Sequence, residues 1–177
     1  LHAQRIAAMA SRPARVVIVD PLIDPAAPPP GLVNGAEQTT IVDCILGARD
    51  GEAPFQVWSG NAIMGPRAPS PALYALFPGL RPVRQSTVRV RTIETLSARF
   101  GELPDPVSIW IDAPGSEGEV LDLILASRLA ARVTDIAVRT GVEAFFDGAG
   151  DSHQLIQRLA ARASSARMAS SPGAATR

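Results

Sequence analysis

The sequence predicts an α/β domain with a largely parallel sheet, and three observations carry that expectation. Val107 to Leu125 reads V-S-I-W-I-D-A-P-G-S-E-G-E-V-L-D-L-I-L, a β-branched run closed by an acid and a Pro-Gly break, then an apolar-striped segment. Those are a buried strand, a turn and a helix in succession, half of a βαβ unit. Arg15 to Asp20 places four consecutive β-branched residues before a second acid, too short a run for a helix and typical of a strand covered on both faces. Strand-like and helix-like segments then follow one another along the chain, the order that a parallel sheet with crossover helices requires.

His2 to Ser11 reads as a helix with Ile6 and Met9 facing inward, ended by Pro13. After the Arg15–Asp20 strand, Pro21, Pro25 and the run from Pro28 to Gly31 forbid a regular crossover helix, so the connection is extended or loop-like. Thr39 to Leu46 is a second apolar strand. Gly47 to Glu52 supplies turn chemistry before a third, Ala53 to Trp58, which is expected to pair with it. Gly60, Gly65, Pro66, Pro69 and Pro71 make Ser59–Pro71 a loop, expected to cover a sheet edge. Ala72 to Phe77 forms a short helical turn stopped by Pro78 and Gly79.

In Arg81 to Arg91, Val88 and Val90 alternate with arginines, the appearance of a strand at a sheet edge with one solvated face. Thr92 caps a helix over Ile93–Phe100, with Gly101 and Pro104 ending it. Ser116 is placed to cap the next helix, whose first turn holds Glu117 and Glu119 and whose stripe is Val120, Leu121, Ile124 and Leu125. Arg132 to Arg139 reads as another strand, and Gly141 to Asp151 as a loop with exposed Phe145 and Phe146. Ser152 caps a last helix to about Ala163. Small residues from Ser164 onward predict a flexible tail over 164–177, leaving one domain over 1–163.

Composition narrows the function classes. A chain of 177 residues can bury roughly 70% of its unfolded surface around one core. Its net charge is zero, and its 17 basic residues are all arginine and dispersed, which gives no electrostatic reason to expect nucleic acid or an anionic membrane. The arginine, alanine and proline usage suggests a GC-rich, bacterial genome. With no leader and no apolar span of the roughly 20 residues that a bilayer needs, a soluble, cytoplasmic protein is expected. Cys44 is the sole cysteine and reads as a small core residue. His153 reads as a solvated or capping residue. No third ligand at metal-site spacing, no G-x-S-x-G and no Walker pattern are present, so no metal is expected. Asp20 and Asp112 both follow apolar strands, so both are candidates for one crevice at the strand ends; each is equally suited to closing the turn after its strand.

Two segments resemble a known family. V-R-V-R-T-I-E-T-L at Val88 to Leu96 and S-I-W-I-D-A-P-G-S-E-G-E-V-L at Ser108 to Leu121 are similar to the segments by which FkbM-type S-adenosylmethionine-dependent methyltransferases are recognised. There a strand ends in an Ile-Asp pair, followed by a Gly, then a small residue and Glu. V-I-V-D-P at Val17 to Pro21 resembles that fold's second strand, whose terminal acid accepts hydrogen bonds from the cofactor's ribose. The resemblance runs in order from about Ile6 to Val138. It implies a Rossmann-like methyltransferase sheet, mostly parallel, with S-adenosylmethionine as cofactor, Asp20 binding it, and Asp112 and Glu117 in the catalytic positions.

The departures from the family shape the functional expectation. In that family a first strand and its glycine-rich loop precede the helix placed at His2–Ser11, and an antiparallel pair closes the sheet. The sheet here is expected to be incomplete at its first strand and at its last hairpin. Pro114 stands where the family commonly has an acid, and Trp110 where it has a lysine; neither replacement exchanges protons. The expected protein is therefore a degenerate methyltransferase domain, or a fragment with little activity alone, associating with a missing N-terminal segment or another subunit. The alternative is a non-catalytic binding or scaffold module that retains the fold and uses Phe145, Phe146 and the proline-rich loops for partners. A third reading, a phosphate- or nucleotide-binding regulator, rests on Arg89 and Arg91.

Overall fold

The computed structural model describes residues 13–29, 36–60, 63–101 and 103–170, with the side chains of 162–170 left aside. The helix expected at His2–Ser11 lies outside the described residues. The chain is mixed α/β, and its strands form three hydrogen-bonded sheets in place of the one largely parallel sheet expected.

In the first sheet, β1 (Arg15–Val19) and β2 (Gln38–Val42) run parallel, with Arg15 opposite Gln38 and Val19 opposite Val42. Ile18 and Ile41 are buried between them, with Val16 and Ile23 packed alongside. The chain leaves β1 through two Asx turns: Leu22 N–H donates to Asp20 Oδ1 at 2.8 Å, and Ala26 N–H to Asp24 Oδ1 at 2.9 Å. Short aspartates in a proline-rich stretch form such turns because their carboxylates mimic a backbone acceptor.

The second sheet departs furthest from expectation. The apolar run Thr39–Leu46 breaks at Asp43 and Cys44, so that β3 (Ile45–Leu46) is a separate short strand. β4 (Gly51–Trp58), β5 (Met64–Gly65) and β6 (Pro82–Arg91) complete the order β3-β6-β4-β5. β3 pairs parallel with β6 at Val90 and Arg91, whereas β4 is antiparallel to both β6 and β5. β3 and β4 therefore do not pair with each other; β6 stands between them. The edge character expected of β6 holds from Pro82 to Arg89, where β4 is its sole partner among the described strands.

β4 and β6 are joined by a long return, Ser59 to Arg81, which carries α1 (Pro71–Leu76) and closes with Ser59 N–H donating to Arg81 O at 2.9 Å. This return builds its own core. Trp58, Ile63, Leu73, Leu80 and Phe146 are all buried together, and Trp58 meets Tyr74 edge-on with ring centroids 6.2 Å apart at 87°. The loop that the sequence assigned to covering a sheet edge is thus a small packed unit, and Phe146, expected to be exposed, is part of it at 7% exposure. Phe145 is half-buried beside it. Apolar rings in a loop without strand or helix periodicity still bury when a neighbouring loop offers an apolar surface.

α2 (Ile93–Phe100) begins and ends where its sequence signals put it. Thr92 Oγ1 accepts from Thr95 N–H at 3.1 Å, and Gly101 takes a positive φ of 70° at the other end. A second acceptor reinforces the cap from afar: Asp50 Oδ1 accepts from Thr92 N–H at 2.7 Å and Oδ2 from the Thr95 hydroxyl at 2.8 Å. The Thr92 N–H and the Thr95 hydroxyl hold the Asp50 carboxyl below its ordinary value.

The third sheet is a parallel pair, β7 (Val107–Ile111) and β8 (Val133–Val138), linked by α3 (Glu117–Ala126) and a 3-10 turn (Arg128–Arg132). This completes the βαβ unit whose first half was legible. β7 is covered on one face only: Val107 and Ile111 are buried, while Trp110 is 54% exposed on the other face. The main core gathers Ile93 of α2, Ile111 of β7, Val120, Leu121 and Ile124 of α3 and Leu155 of α4 (Ser152–Ser170). α4 is capped by Asp151, whose Oδ1 accepts from Gln154 N–H at 2.9 Å, and Ser152 is already helical. The helix runs past Ala163 to Ser170, through alanine, arginine and serine, with no glycine or proline before Pro172 to stop it. Cys44 is 1% exposed, and burial pushes its thiol up, as suits a small core residue.

Leu121 is fully buried at the centre of the main core. Leu121→Ala removes fully buried methyl groups from this core, so urea denaturation is expected to show a loss of about 2–5 kcal/mol. A loss below about 1 kcal/mol would mean that the core closes over the gap.

Candidate functional site

The site begins at a turn. Ala113, Pro114, Gly115 and Ser116 leave β7 in a tight reversal closed by Ser116 N–H donating to Ala113 O at 2.8 Å, with Gly115 at φ 79°. Proline at the second position and a left-handed glycine at the third are what a type II turn requires. No side chain fits at Gly115: a Cβ there would lie 2.6 Å from Phe146. A Cβ on Gly65, in β5, would lie 2.8 Å from Pro114 O. The return after β4 and the loop after β8 thus both close directly onto this turn.

Ser116 is not the cap its position suggested. It makes no side-chain cap bond, and its Oγ is buried without a hydrogen-bond partner among the described residues. The backbone N–H groups of Glu117 and Gly115 face the Glu117 carboxylate. Glu117 is 9% exposed. Burial pushes its carboxyl up, the two backbone donors oppose that, and the nearby Asp112 charge adds to it while Arg139 subtracts.

Parallel pairing supplies the partner of Asp112. Ile111 lies opposite Val138, so the residues that follow, Asp112 and Arg139, leave the two strands side by side, and Arg139 N–H donates to Ile111 O at 2.9 Å. Arg139 Nη1 reaches both Asp112 oxygens, at 3.3 and 3.4 Å. The Asp112 side chain is 11% exposed and that of Arg139 50%, so the acid is set into the wall and the guanidinium faces outward.

Asp112, Glu117, Arg139 and Glu143 line a cleft of about 610 Å³ at the carboxyl ends of β7 and β8. Ile63, Leu73, Leu76, Phe77, Phe145 and Phe146 give the same cleft apolar lining. A few polar groups amid an apolar lining is the usual make-up of a small-molecule site. A second cleft of about 470 Å³ lies across Gly115, Ala149 and Gly150 from the first. Its charges are paired, Arg67 with Glu119 at 3.2 Å and Arg158 with Asp122 at 2.7 Å, which reads as surface packing.

Asp112 and Glu117 line one cleft, and Asp20 is not among its lining residues. Asp20 ends a strand of a different sheet, lines neither cleft, and uses one carboxylate oxygen to close the turn to Leu22. Among the described strands β1 pairs with β2 and β7 with β8, so no ladder joins the strand before Asp20 to the strand before Asp112. A strand-end carboxylate suits a ribose hydroxyl chemically, and Asp20 lines neither of these two clefts. Arg89, one member of the arginine pair considered for phosphate, is ion-paired to Asp43. His153 sits in the first turn of α4, exposed, with its Nε2 2.9 Å from Gln157 Nε2. Among the described residues no group of three or more His, Cys, Asp or Glu could hold a metal ion, and no described helix is long and apolar enough to cross a membrane.

Sequence reasoning did not single out Arg139 or Glu143 as parts of a site, and of the apolar lining it named Phe145 and Phe146 alone, as exposed contacts for partners. A signal for Arg139 existed: it ends the strand that follows Asp112's own, so a parallel pair puts the two charges in register. The apolar lining as a whole had no such signal, because it comes from two loops distant in sequence.

Two substitutions test this geometry. Gly115→Ala forces a Cβ into a left-handed backbone position against Phe146, so a destabilisation of about 1–3 kcal/mol is expected in urea; an unchanged midpoint would deny the close approach. Because the folded state raises the Glu117 pKa, folded protein binds the proton more tightly. Stability from this residue then falls as pH rises from the ordinary glutamate range through the raised value. Glu117→Gln should remove that slope, so the stability of the native protein relative to the variant declines with pH across this window. A difference that is flat or rises with pH rejects the assignment.

No protein-family model, no curated protein and no solved structure matches this chain, so the cleft is read from its own chemistry.

Proposed function

We propose that the chain is an FkbM-like, methyltransferase-type α/β domain that has little methyl-transfer activity of its own and works by binding a small molecule in the cleft between Asp112, Glu117 and Arg139. The observation that carries this reading is that Asp112 and Glu117 line one cleft at the carboxyl ends of two parallel strands, where open α/β domains take their ligands. Both acids belong to the segment that resembles the family. A carboxylate held by Arg139 and a buried glutamate faced by backbone amides are fixed acceptors for a ligand's hydrogen-bond donors.

A second reading, S-adenosylmethionine-dependent transfer by this chain itself, is favoured by the position of Asp20 at the end of a parallel strand and by the wording Ile111-Asp112 to Glu117. When bound, that cofactor supplies an electrophilic methyl group; the residues described around Asp20 support no step through it.

Calorimetric titration with S-adenosylhomocysteine separates the two. The binding-module reading expects no heat and no thermal shift at millimolar ligand. Saturable binding that Asp20→Ala weakens by about tenfold would overturn it in favour of the transferase.

A further inference from the structure

One side of β6 is open along most of its length. Among the described strands β4 is its sole partner from Pro82 to Arg89, and β3 joins the other side at Val90 and Arg91. A proline fixes which residues face the open side. Pro54 of β4 lies opposite Thr87 and has no N–H to exchange, so that pair is of the non-hydrogen-bonded kind, and its neighbours Ala53–Val88 and Phe55–Ser86 are of the bonded kind. Gln85 and Thr87 therefore turn their N–H and C=O groups away from β4. The far end of the strand agrees: Arg91, of the same alternation, accepts at its C=O from Gly47 N–H at 3.1 Å, just past β3. No loop among the described residues bonds the backbone of residues 83–88, and Gln85 and Thr87 are exposed.

An open row of alternating donors and acceptors is satisfied by an extended chain laid alongside it, the strand-addition mode of peptide recognition. Charge selects which chain. Between Glu52 and Glu94 the sequence has no aspartate or glutamate and five arginines, Arg67, Arg81, Arg84, Arg89 and Arg91. Arg67 and Arg89 have acidic partners in Glu119 and Asp43. Arg84 is exposed, stands opposite Val57, and by the alternation of the strand shares its face of the sheet with the buried Phe55 and Val88. An arginine at that place opposes a neutral or basic strand, which would desolvate it without a counter-charge, and suits one that brings a carboxylate. A second copy of β6 would add another Arg84 and no acid, and residues 1–12, 30–35 and 171–177 hold no acid either.

We propose that the open edge of β6, over Gln85 and Thr87, takes an extended acidic segment of another protein as an added strand, with a carboxylate of that segment beside Arg84. The backbone groups of the edge supply the affinity and the arginine supplies the choice of partner.

The test is fluorescence anisotropy of the whole chain with a labelled heptapeptide, T-V-E-V-E-V-T, and its lysine counterpart, T-V-K-V-K-V-T. The acidic peptide is expected to bind several-fold more tightly than the basic one, and Arg84→Glu to abolish that preference. Thr87→Pro removes an outward N–H from a residue that makes no bond to β4, so it should weaken the acidic peptide about tenfold. Thr87→Val keeps the N–H and should bind as the native chain does, with circular dichroism confirming that both variants are folded. An acidic peptide with N-methylated amides keeps its charge and loses its donors, and is expected not to bind; this arm needs no variant. The absence of acidic-peptide binding at millimolar concentration overturns the proposal. So does equal affinity for acidic and basic peptides, for methylated and unmethylated peptides, or for the native chain and folded Thr87→Pro. An acidic preference that survives Arg84→Glu overturns it, as does dimerisation of the native chain that Thr87→Pro abolishes, since a second copy would then hold the edge.

Discussion

The arrangement of the molecule depends on a close approach of backbone at Pro114 and Gly115. Phe146 packs where a Gly115 side chain would be, and β5 passes so near Pro114 O that Gly65 admits no Cβ either. Two loops far apart in sequence therefore seat on the turn that ends β7. That contact gives the cleft apolar lining, because Phe146 brings with it the buried group of Trp58, Ile63, Leu73 and Leu80. The turn in turn fixes α3, whose first carboxylate faces the amides of Gly115 and Glu117. A single tight reversal thus sets the helix, the apolar lining and the position of a buried acid.

Charge in the cleft is arranged by the same parallel pairing. Because β7 and β8 end in register, Asp112 and Arg139 emerge together and neutralise each other at the strand ends. Glu117 sits deeper and has backbone donors in place of a cation, so its burial is only partly offset. The two acids, five residues apart in sequence, consequently have different characters: one is the ion-paired base of the wall, the other a carboxyl whose proton is held more tightly than in water. Buried groups of this kind gather at functional sites, although structural networks produce them too.

The parts of the fold that could be read in advance are those in which neighbouring residues decide the outcome. The β-branched run after Arg15, the Thr92 cap and Gly101 stop of α2, and the strand-turn-helix from Val107 to Ala126 all appear where local chemistry puts them. The mistaken parts are those decided across distance. Thr39–Leu46 broke in two because β3 is claimed by β6, more than forty residues later. β4 and β6 turned out antiparallel because the intervening return folds on itself around Leu73 and Leu80. Phe145 and Phe146 look exposed in a sequence without periodicity, and bury because another loop meets them. Of the site, Asp112 and Glu117 were legible from one continuous segment; Arg139, Glu143 and most of the apolar lining were not, since they arrive through tertiary packing.

The capping of α2 by Asp50 has a consequence for how the protein assembles. An ordinary N-cap is local and lets a helix start by itself, but here two of the acceptor bonds cross 42 and 45 residues, from the turn that begins β4. At eight residues α2 is too short to persist in isolation, so its first turn gains this support only once β4 and β6 have zipped together. Helix and hairpin therefore belong to one cooperative unit, and the loop-closure cost of the long return falls on the helix as much as on the strands.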